Sequence, residues 1–194
     1  MSHHLGCCIL AAGSSRRLGR PKQLLTVGGV PLVRRAALAA LAVSTECSVV
    51  LGAQAAPIEA ELSDLSLALL HNWQWESGMA SSLRMAASWA EQRELDGVVL
   101  MVCDQPRITS AHLSRLFDDF RGGETIVASF YAGVPAVPAL FPRSLFGELR
   151  RIEGDVGARS LLRSARDIAL VPWPDGSVDI DTPQQVEELA EPQR

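Results

Sequence analysis

The sequence lacks the features of membrane-spanning and nucleic-acid-binding proteins. Its best apolar run, AALAALAV at residues 36–43, is far shorter than the ~20 residues that a spanning helix needs. Basic residues are not in excess, because 18 Lys and Arg stand against 22 Asp and Glu, a formal net charge of −4. Binding nucleic acid through bulk charge requires a basic surplus that neutralises phosphates. We therefore expect neither nucleic acid nor a membrane among the partners.

Cysteine is scarce and is not spaced for a metal or a disulfide framework. The four cysteines are Cys7, Cys8, Cys47 and Cys103, and no two of them have CxxC spacing. Three lie in apolar runs typical of strands, so we expect buried, reduced thiols. The first residues also lack the pattern of a secretory leader. These observations favour a cytoplasmic protein.

What is present is the composition of an ordinary folded domain. Apolar residues make up 47% and charged residues 21% of the chain, which is too apolar for a disordered protein. Short apolar segments alternate with helical patterns, without a repeat or a low-complexity linker. This alternation is typical of a mostly parallel sheet with helices on both faces. We predict a single α/β domain over residues 1–194.

The strongest strand signal is Gly97–Val102, which is apolar throughout and rich in β-branched residues. Thr109 is the expected cap of the helix that follows it. The Gly- and Pro-rich stretch at 133–142 is interpreted as a loop or an irregular strand. Further strands are predicted at 6–11, 48–51, 65–70, 124–130, 138–141 and 168–172, and helices at 31–43, 56–62, 81–94, 109–120, 158–165 and 183–189.

A loop rich in Gly, Ser and basic residues follows the first predicted strand. It contains four cations in seven residues, namely Arg16, Arg17, Arg20 and Lys22. Such a cluster is self-repelling unless an anion joins it, and Gly/Ser backbone N–H groups can point at the same anion. A polyphosphate is the expected ligand, and a solvated basic turn is the alternative. Neither the Walker pattern nor GxGxxG occurs here.

Carboxylates at two places are candidate metal ligands. Asp104 directly follows the Gly97–Val102 strand, where ligands bind in parallel sheets, and Mg²⁺ prefers carboxylates with phosphate oxygens and water. The alternative for Asp104 is a helix cap, a role that Thr109 already fills. Asp179 and Asp181 alternate on an extended segment and should point to the same side. Asp181 can also cap the helix that follows, which makes Asp179 the better ligand.

A segment with two tryptophans, Trp73 and Trp75, leads into a Gly/Ser loop and a helix. The indole rings can hold a flat base, or they can pack on the core. A later turn, Gly154-Asp155-Val156-Gly157, taken alone, indicates only a turn with a capping Asp.

Taken together, these blocks resemble the nucleotidyltransferases of molybdenum cofactor maturation, and within them the molybdenum cofactor cytidylyltransferase branch. LAAGSSRRLGRPKQLL at 10–25 is similar to that family's LAAGxSxRxGxxK signature. NWQWESGMASSL at 72–83, DQP at 104–106, GDVGARSLL at 154–162 and DIDTP at 179–183 are similar to its later blocks, in the same order. The resemblance covers residues 9–188.

The resemblance implies a three-layer Rossmann-like nucleotidyltransferase fold with a mixed, mostly parallel sheet. It implies transfer of CMP from CTP to the terminal phosphate of molybdopterin, with release of pyrophosphate. Ala12 before Gly13 resembles the cytidylyl branch, since the guanylyl branch carries LAGG. The implied partners are CTP, molybdopterin (the molybdenum cofactor) and a recipient molybdoenzyme. The implied cofactor is Mg²⁺, with Mn²⁺ as an alternative.

The site residues follow from the motifs and the resemblance together. The expected catalytic residues are Arg17, Lys22 and Asp104. The expected nucleotide-binding residues are Leu10, Ala11, Ala12, Gly13, Ser14, Ser15, Arg16, Gly19, Asn72, Gly78, Ser81 and Ser82. Asp104, Asp179 and Asp181 are the expected metal ligands. The resemblance places Asp155 and Arg159 on the acceptor side.

Two other functions stay open. A transferase of the same fold can use GTP, or a sugar or alditol phosphate as acceptor. The segment GVPAVP at 133–138 departs from the family's Gly-His-Pro-like turn, which is expected to contact the pterin. The second alternative is a non-catalytic carrier that delivers cofactor to a molybdoenzyme. A carrier is expected to lack the metal carboxylates or the loop lysine, and both are present.

Overall fold

The computed structural model describes residues 3–15, 18–165 and 167–178. The strands in these ranges are β1 (Leu5–Leu10), β2 (Thr26–Val27), β3 (Val30–Pro31), β4 (Cys47–Leu51), β5 (Ala68–His71), β6 (Gly97–Val102), β7 (Ile126–Tyr131), β8 (Val134–Pro142) and β9 (Ile168–Pro172). The α-helices are α1 (Leu32–Leu41), α2 (Ala55–Ala60), α3 (Met79–Gln92), α4 (Ser110–Asp118), α5 (Phe146–Arg151) and α6 (Arg159–Ser164). Short 3-10 helices lie at Lys22–Leu24, Trp75–Ser77, Arg143–Leu145 and Pro174–Ser177.

Seven of these strands form one mixed sheet in the order β5-β4-β1-β6-β8-β7-β9. β1 pairs in parallel with β4 on one side and with β6 on the other. β8 runs antiparallel to both of its neighbours, β6 and β7. The chain leaves β1 toward β4 and β5 and later returns to β6, on the other side of β1. Ligands bind at such a switch point, outside the carboxyl ends of the two strands.

The sheet separates two apolar cores. Because side chains alternate along a strand, Cys7 and Ile9 of β1 face one core and Cys8 faces the other. Helices α1, α2 and α4 cover the first core, and α3, α5 and α6 cover the second. This three-layer α/β arrangement, with helices on both faces, confirms the predicted fold class.

Several local predictions are confirmed. β6 has the predicted bounds, and the Thr109 hydroxyl accepts a hydrogen bond from the His112 backbone N–H at 3.2 Å, as a helix cap does. Cys7, Cys8, Cys47 and Cys103 are buried free thiols. The predicted helix at 183–189 lies outside the described residues. Among the described helices, none is long and apolar enough to cross a membrane.

The stretch at 133–142 is an irregular strand, one of the two interpretations of its sequence, and it contains the segment 138–141 that was predicted to be extended. Most of it is β8, a nine-residue strand in the interior of the sheet. The pairing with β7 shifts register between Ala128↔Ala139 and Ser129↔Ala136. Pro138 therefore lies in a bulge, where a strand tolerates a residue without an N–H donor.

Candidate active site

A cavity of about 450 Å³ opens at the switch point between β1 and β6. Its walls come from the loop after β1, the end of β6, the turn before α3, and one residue of the 152–158 segment. Among the described residues, the lining is Leu10, Ala11, Ala12, Gly13, Ser14, Lys22, Gln23, Trp75, Glu76, Ser77, Gly78, Met79, Ser82, Val102, Cys103, Asp104 and Asp155. Most of the residues expected to bind nucleotide are therefore brought together here.

Gln23 holds the loop after β1 in its curled form. Its side chain is 1% exposed, and Nε2 donates to the carbonyl oxygens of Ala11 at 2.8 Å and Gly13 at 2.7 Å. Ser15 has φ +52° and its hydroxyl accepts from the Lys22 backbone N–H at 3.0 Å. A Cβ on Gly13 would meet no atom within 4 Å, so this part of the loop has room for a ligand.

Lys22 and Asp104 form an ion pair on the cavity wall, between Lys22 Nζ and Asp104 Oδ2. The two side chains are 24% and 17% exposed, so both are accessible from the cavity. Lys22 is the only lysine in the sequence. A compact ammonium ion beside a carboxylate can bind a phosphate and a metal ion next to each other.

The neighbouring Cys103 also lines the cavity. Burial raises the pKa of its thiol to about 12, and the negative charge of Asp104 acts in the same direction. The thiol is therefore protonated near neutral pH, and a protonated thiol is a poor nucleophile. Cys103 is therefore not a candidate nucleophile at this site.

The polar groups at the cavity fit a divalent cation whose coordination shell is completed by the phosphates of a substrate. The described residues contain no group of three or more His, Cys, Asp and Glu side chains able to hold a metal. Asp104 contributes one carboxylate, and Mg²⁺ is commonly bound by one or two carboxylates with substrate phosphates and water. The other expected ligands, Asp179 and Asp181, lie outside the described residues, as do Arg16 and Arg17.

Residues 7–169 match the family model described as the MobA-like NTP transferase domain. The chain belongs to this family. The match spans every α-helix described above and every strand except the first residues of β1 and the end of β9. The cavity at the switch point is the candidate active site of this nucleotidyltransferase.

Two curated proteins are similar over most of their length. Nicotine blue oxidoreductase of Paenarthrobacter nicotinovorans is 31% identical over 194 residues, covering 93% of this chain and 94% of that protein. Purine catabolism protein PucB of Bacillus subtilis (strain 168) is 28% identical over 188 residues, covering 91% of each. Neither name states a donor nucleotide or an acceptor.

A solved structure shares both fold and sequence with the transferase. Rv0371c from Mycobacterium tuberculosis H37Rv superposes with a TM-score of 0.83 at 31% identity, covering 98% of this chain and 99% of that one. A second structure of Rv0371c is a complex with manganese, at 30% identity and a TM-score of 0.77, with the same coverage. A relative of the transferase thus binds a divalent metal ion.

The two tryptophans of the transferase have different environments. Trp75 lines the cavity and packs on the second core. It lies against Gly52, where an added Cβ would be 2.7 Å from Trp75 Cβ and 2.6 Å from the Ala12 carbonyl oxygen. Trp73 is 87% exposed and stacks on His71, with ring centroids 5.8 Å apart. Only Trp75 is placed to contact a ligand in the cavity.

Asn72 and Ser81 hold the turn before α3 in place through hydrogen bonds on the side away from the cavity. The Asn72 side-chain amide donates to the hydroxyls of Ser81 at 2.8 Å and Ser82 at 3.0 Å. Ser81 in turn donates to the Gly78 carbonyl oxygen at 2.8 Å. Ser82 and Gly78 line the cavity, whereas Asn72 and Ser81 line a separate, shallower pocket. Through these hydrogen bonds, Asn72 and Ser81 position Ser82 and Gly78 without lining the cavity themselves.

The two residues expected on the acceptor side are in different positions. Asp155 lines the cavity, and its Oδ1 accepts a long 3.4 Å hydrogen bond from the Met79 N–H. Arg159 is exposed at the start of α6 and does not belong to the described lining.

Sequence reasoning missed Gln23 and Gly52. Gln23 directly follows the motif lysine, but nothing in its local sequence indicates that its amide turns inward. Gly52 ends an apolar strand, and a glycine there is a signal of close backbone approach.

Proposed function

We propose that this transferase moves CMP from CTP to the terminal phosphate of molybdopterin and releases pyrophosphate. The observation that carries the proposal is the Lys22–Asp104 pair beside the glycine-rich loop at the switch point. A cation, an acidic metal ligand and open backbone amides are the groups that a nucleoside triphosphate needs.

The proposed reaction is an in-line displacement at the α-phosphorus of CTP. An oxygen of the acceptor phosphate forms the new P–O bond, and the P–O bond to the β-phosphate breaks, so that pyrophosphate leaves with the electron pair. Such transfers depend on positioning and charge stabilisation rather than on a covalent intermediate. Lys22 holds the phosphates and stabilises the growing negative charge.

Asp104 is the described residue that would hold a divalent metal ion. When bound, the ion neutralises phosphate charge and orients phosphate oxygens. Asp179 is proposed as a second ligand and Asp181 as a weaker one. Arg17 is proposed to share the triphosphate with Lys22, and Arg16 to lie beside it.

Ala12 supports a pyrimidine donor. It lines the cavity, is 6% exposed and is packed tightly at Gly52 beside Trp75. A methyl group at this position reduces the space for a base, which favours cytosine over guanine. The Ala12→Gly variant should therefore gain activity with GTP, and an unchanged CTP preference in that variant would remove this explanation.

Molybdopterin as acceptor is supported by the resemblance of the 154–162 block and by the position of Asp155 in the cavity. A recipient molybdoenzyme is the proposed partner of the product. The 133–138 segment, with Val134 exposed in β8, leaves a sugar or alditol phosphate as the competing acceptor.

Pyrophosphate release, measured with each of the four nucleotides and with or without molybdopterin, tests the proposal. We expect release with CTP only when molybdopterin is present, and none in Lys22→Ala. Arg143→Ala, at the opposite edge of the sheet, is the matched control and should retain full activity. Binding of CTP without release would favour the carrier, and release with GTP or with a sugar phosphate would favour those alternatives.

A further inference from the structure

A second pocket, of about 610 Å³, lies beside the candidate active site. We call it the arginine pocket. Its described lining consists of Ser77, Arg84, Arg150, Arg151, Glu153 and Gly154. Three guanidinium groups and one carboxylate thus surround one opening, in a chain whose overall formal charge is −4.

The pocket is built by the packing of α5 on α3. Arg84 projects from α3, and Arg150 and Arg151 lie in the last turn of α5. Arg84 Nη1 donates to the Ile152 carbonyl oxygen at 3.0 Å, which holds the segment after α5 against α3. Arg84 is distant in sequence from the adjacent Arg150 and Arg151, so its proximity to them is a product of the fold.

Among the described residues, two of the three arginines have no carboxylate partner. Arg150 forms an ion pair with Glu91. Within the part of the chain that the structure describes, Arg151 forms no ion pair or hydrogen bond, and Arg84 bonds only the Ile152 carbonyl oxygen. Guanidinium groups that are unneutralised and face one pocket favour an anion there, because each presents a planar pair of donors to an oxyanion.

The arginine pocket adjoins the cavity at the switch point. Ser77 lines both, and Gly154 of the pocket precedes Asp155 of the cavity. The start of α3 and the 152–158 segment touch between them, since the Ala80 N–H donates to the Gly154 carbonyl oxygen at 3.2 Å. An acceptor bound in the cavity therefore lies next to the arginines, with Ser77 between the two.

We propose that the arginine pocket binds a second anionic group of the acceptor, at the end remote from the phosphate that reacts. This inference rests on the proposed function, because it takes the reacting phosphate to lie near Lys22 and Asp104. The bound group is an oxyanion, which the arginine forks recognise. Solvated surface arginines are the competing interpretation, and they predict no selective binding.

The first test uses exposed Arg151, whose replacement leaves the fold's contacts intact. Arg151→Gln, and Arg151→Gln combined with Arg84→Gln, should raise the KM for the acceptor by roughly 10- to 100-fold, as expected for lost charged hydrogen bonds. The KM for CTP should not change. Arg143→Gln, which removes an equally exposed arginine far from the site, is the control. An unchanged acceptor KM, or an equal rise for CTP, overturns the proposal.

The second test does not require transferase activity. Inorganic phosphate is titrated into the full-length protein, and the Nε–H signals of the arginines are followed by NMR, with the variants providing assignments. The Arg84 and Arg151 signals should shift saturably and the Arg143 signal should not. If the Arg84, Arg151 and Arg143 signals shift equally and without saturation, the pocket does not bind the anion and the proposal is overturned. Saturable binding with no CMP transfer contradicts the proposed function and leaves the pocket standing.

Discussion

Lys22 and Asp104 are 82 residues apart in the sequence and meet as an ion pair at the carboxyl ends of adjacent strands β1 and β6. The parallel pairing of these strands brings the two loops together, and the reversal of chain direction around β1 leaves the crevice open. The pair places a positive charge beside a negative one, the arrangement that the proposed binding of phosphate and metal ion requires.

Removing either partner should strongly reduce transfer without unfolding the protein. Lys22→Ala should lower kcat by roughly 10²- to 10³-fold, as for loss of one transition-state donor. Asp104→Asn should reduce turnover and its response to divalent metal. Thermal unfolding should change little, since partly exposed pairs contribute little stability. Full activity in Lys22→Ala would contradict the proposed transferase function. An unchanged response to divalent metal in Asp104→Asn would show that Asp104 is not the metal ligand.

The single lysine allows the pair to be observed directly. Lysine-selective isotope labelling yields one side-chain signal, because Lys22 has no counterpart in the sequence. That signal should move in Asp104→Asn and again when CTP is added to the wild type. If the Lys22 signal does not shift when CTP is added, the triphosphate does not bind next to Lys22.

Gln23 should control the affinity for the donor through the shape of the loop. Gln23→Leu keeps the volume but leaves the carbonyl oxygens of Ala11 and Gly13 without their donor, at a cost of about 1–3 kcal/mol in stability. The KM for CTP should rise more than the KM for the acceptor. Gln92→Leu, an exposed substitution on α3, should alter neither. Urea unfolding and initial rates measure both effects.

Gly78 should not tolerate a side chain. It has φ +106°, and an added Cβ would lie 2.4 Å from the Gly154 carbonyl oxygen. We expect Gly78→Ala to cost about 1–3 kcal/mol and to displace the turns on both sides of Ser77. Gly147→Ala is the matched control, since its Cβ meets nothing within 4 Å in α5. It should stabilise the protein by about 0.5–1 kcal/mol. Similar losses in both variants would contradict the close approach.

His112 should make the stability depend on pH. Burial, with a smaller effect of Arg115, lowers the pKa of His112 to about 4. Its ring stacks on Trp173, and Nε2 lies 2.7 Å from the Ser129 hydroxyl. That hydroxyl donates to the Pro138 carbonyl oxygen, so we assign the Nε2–H tautomer, with Nε2 donating to Ser129.

The direction of this pH dependence follows from where His112 takes up its proton. Below its usual pKa near 6.5, His112 takes up a proton in the unfolded chain but not in the folded one. Stability therefore falls as the pH drops, until about pH 4, below which both states are protonated. The loss between pH 7 and pH 5 is about 2 kcal/mol. Urea unfolding should show this loss in the wild type and a shallower dependence in His112→Gln. Equal slopes would contradict a neutral buried imidazole.

The sequence predicts those features of the fold that local signals determine. β6 is an uninterrupted apolar, β-branched run, so its type and bounds could be read directly. The position of the site after β1 and β6 follows from the general rule for parallel sheets.

Features that depend on packing at a distance could not be predicted. The sequence left 133–142 open between a loop and an irregular strand, and only the pairing with β7 shows a nine-residue strand with Pro138 in a bulge. The hairpin of β2 and β3 was missed, although its turn residues Gly28 and Gly29, with φ +60° and +77°, are a usable signal. The arginine pocket needs α5 to pack on α3, which no local pattern in either helix indicates.

The most direct test of the central claim follows the α-phosphate. CTP labelled at the α-phosphorus is incubated with the protein, a divalent metal and molybdopterin, and the products are separated. We expect the label in a cytidylylated pterin, equimolar unlabelled pyrophosphate, and neither product with Lys22→Ala. Label that stays in CTP, or transfer to the pterin only from GTP labelled at its own α-phosphorus, would contradict the account.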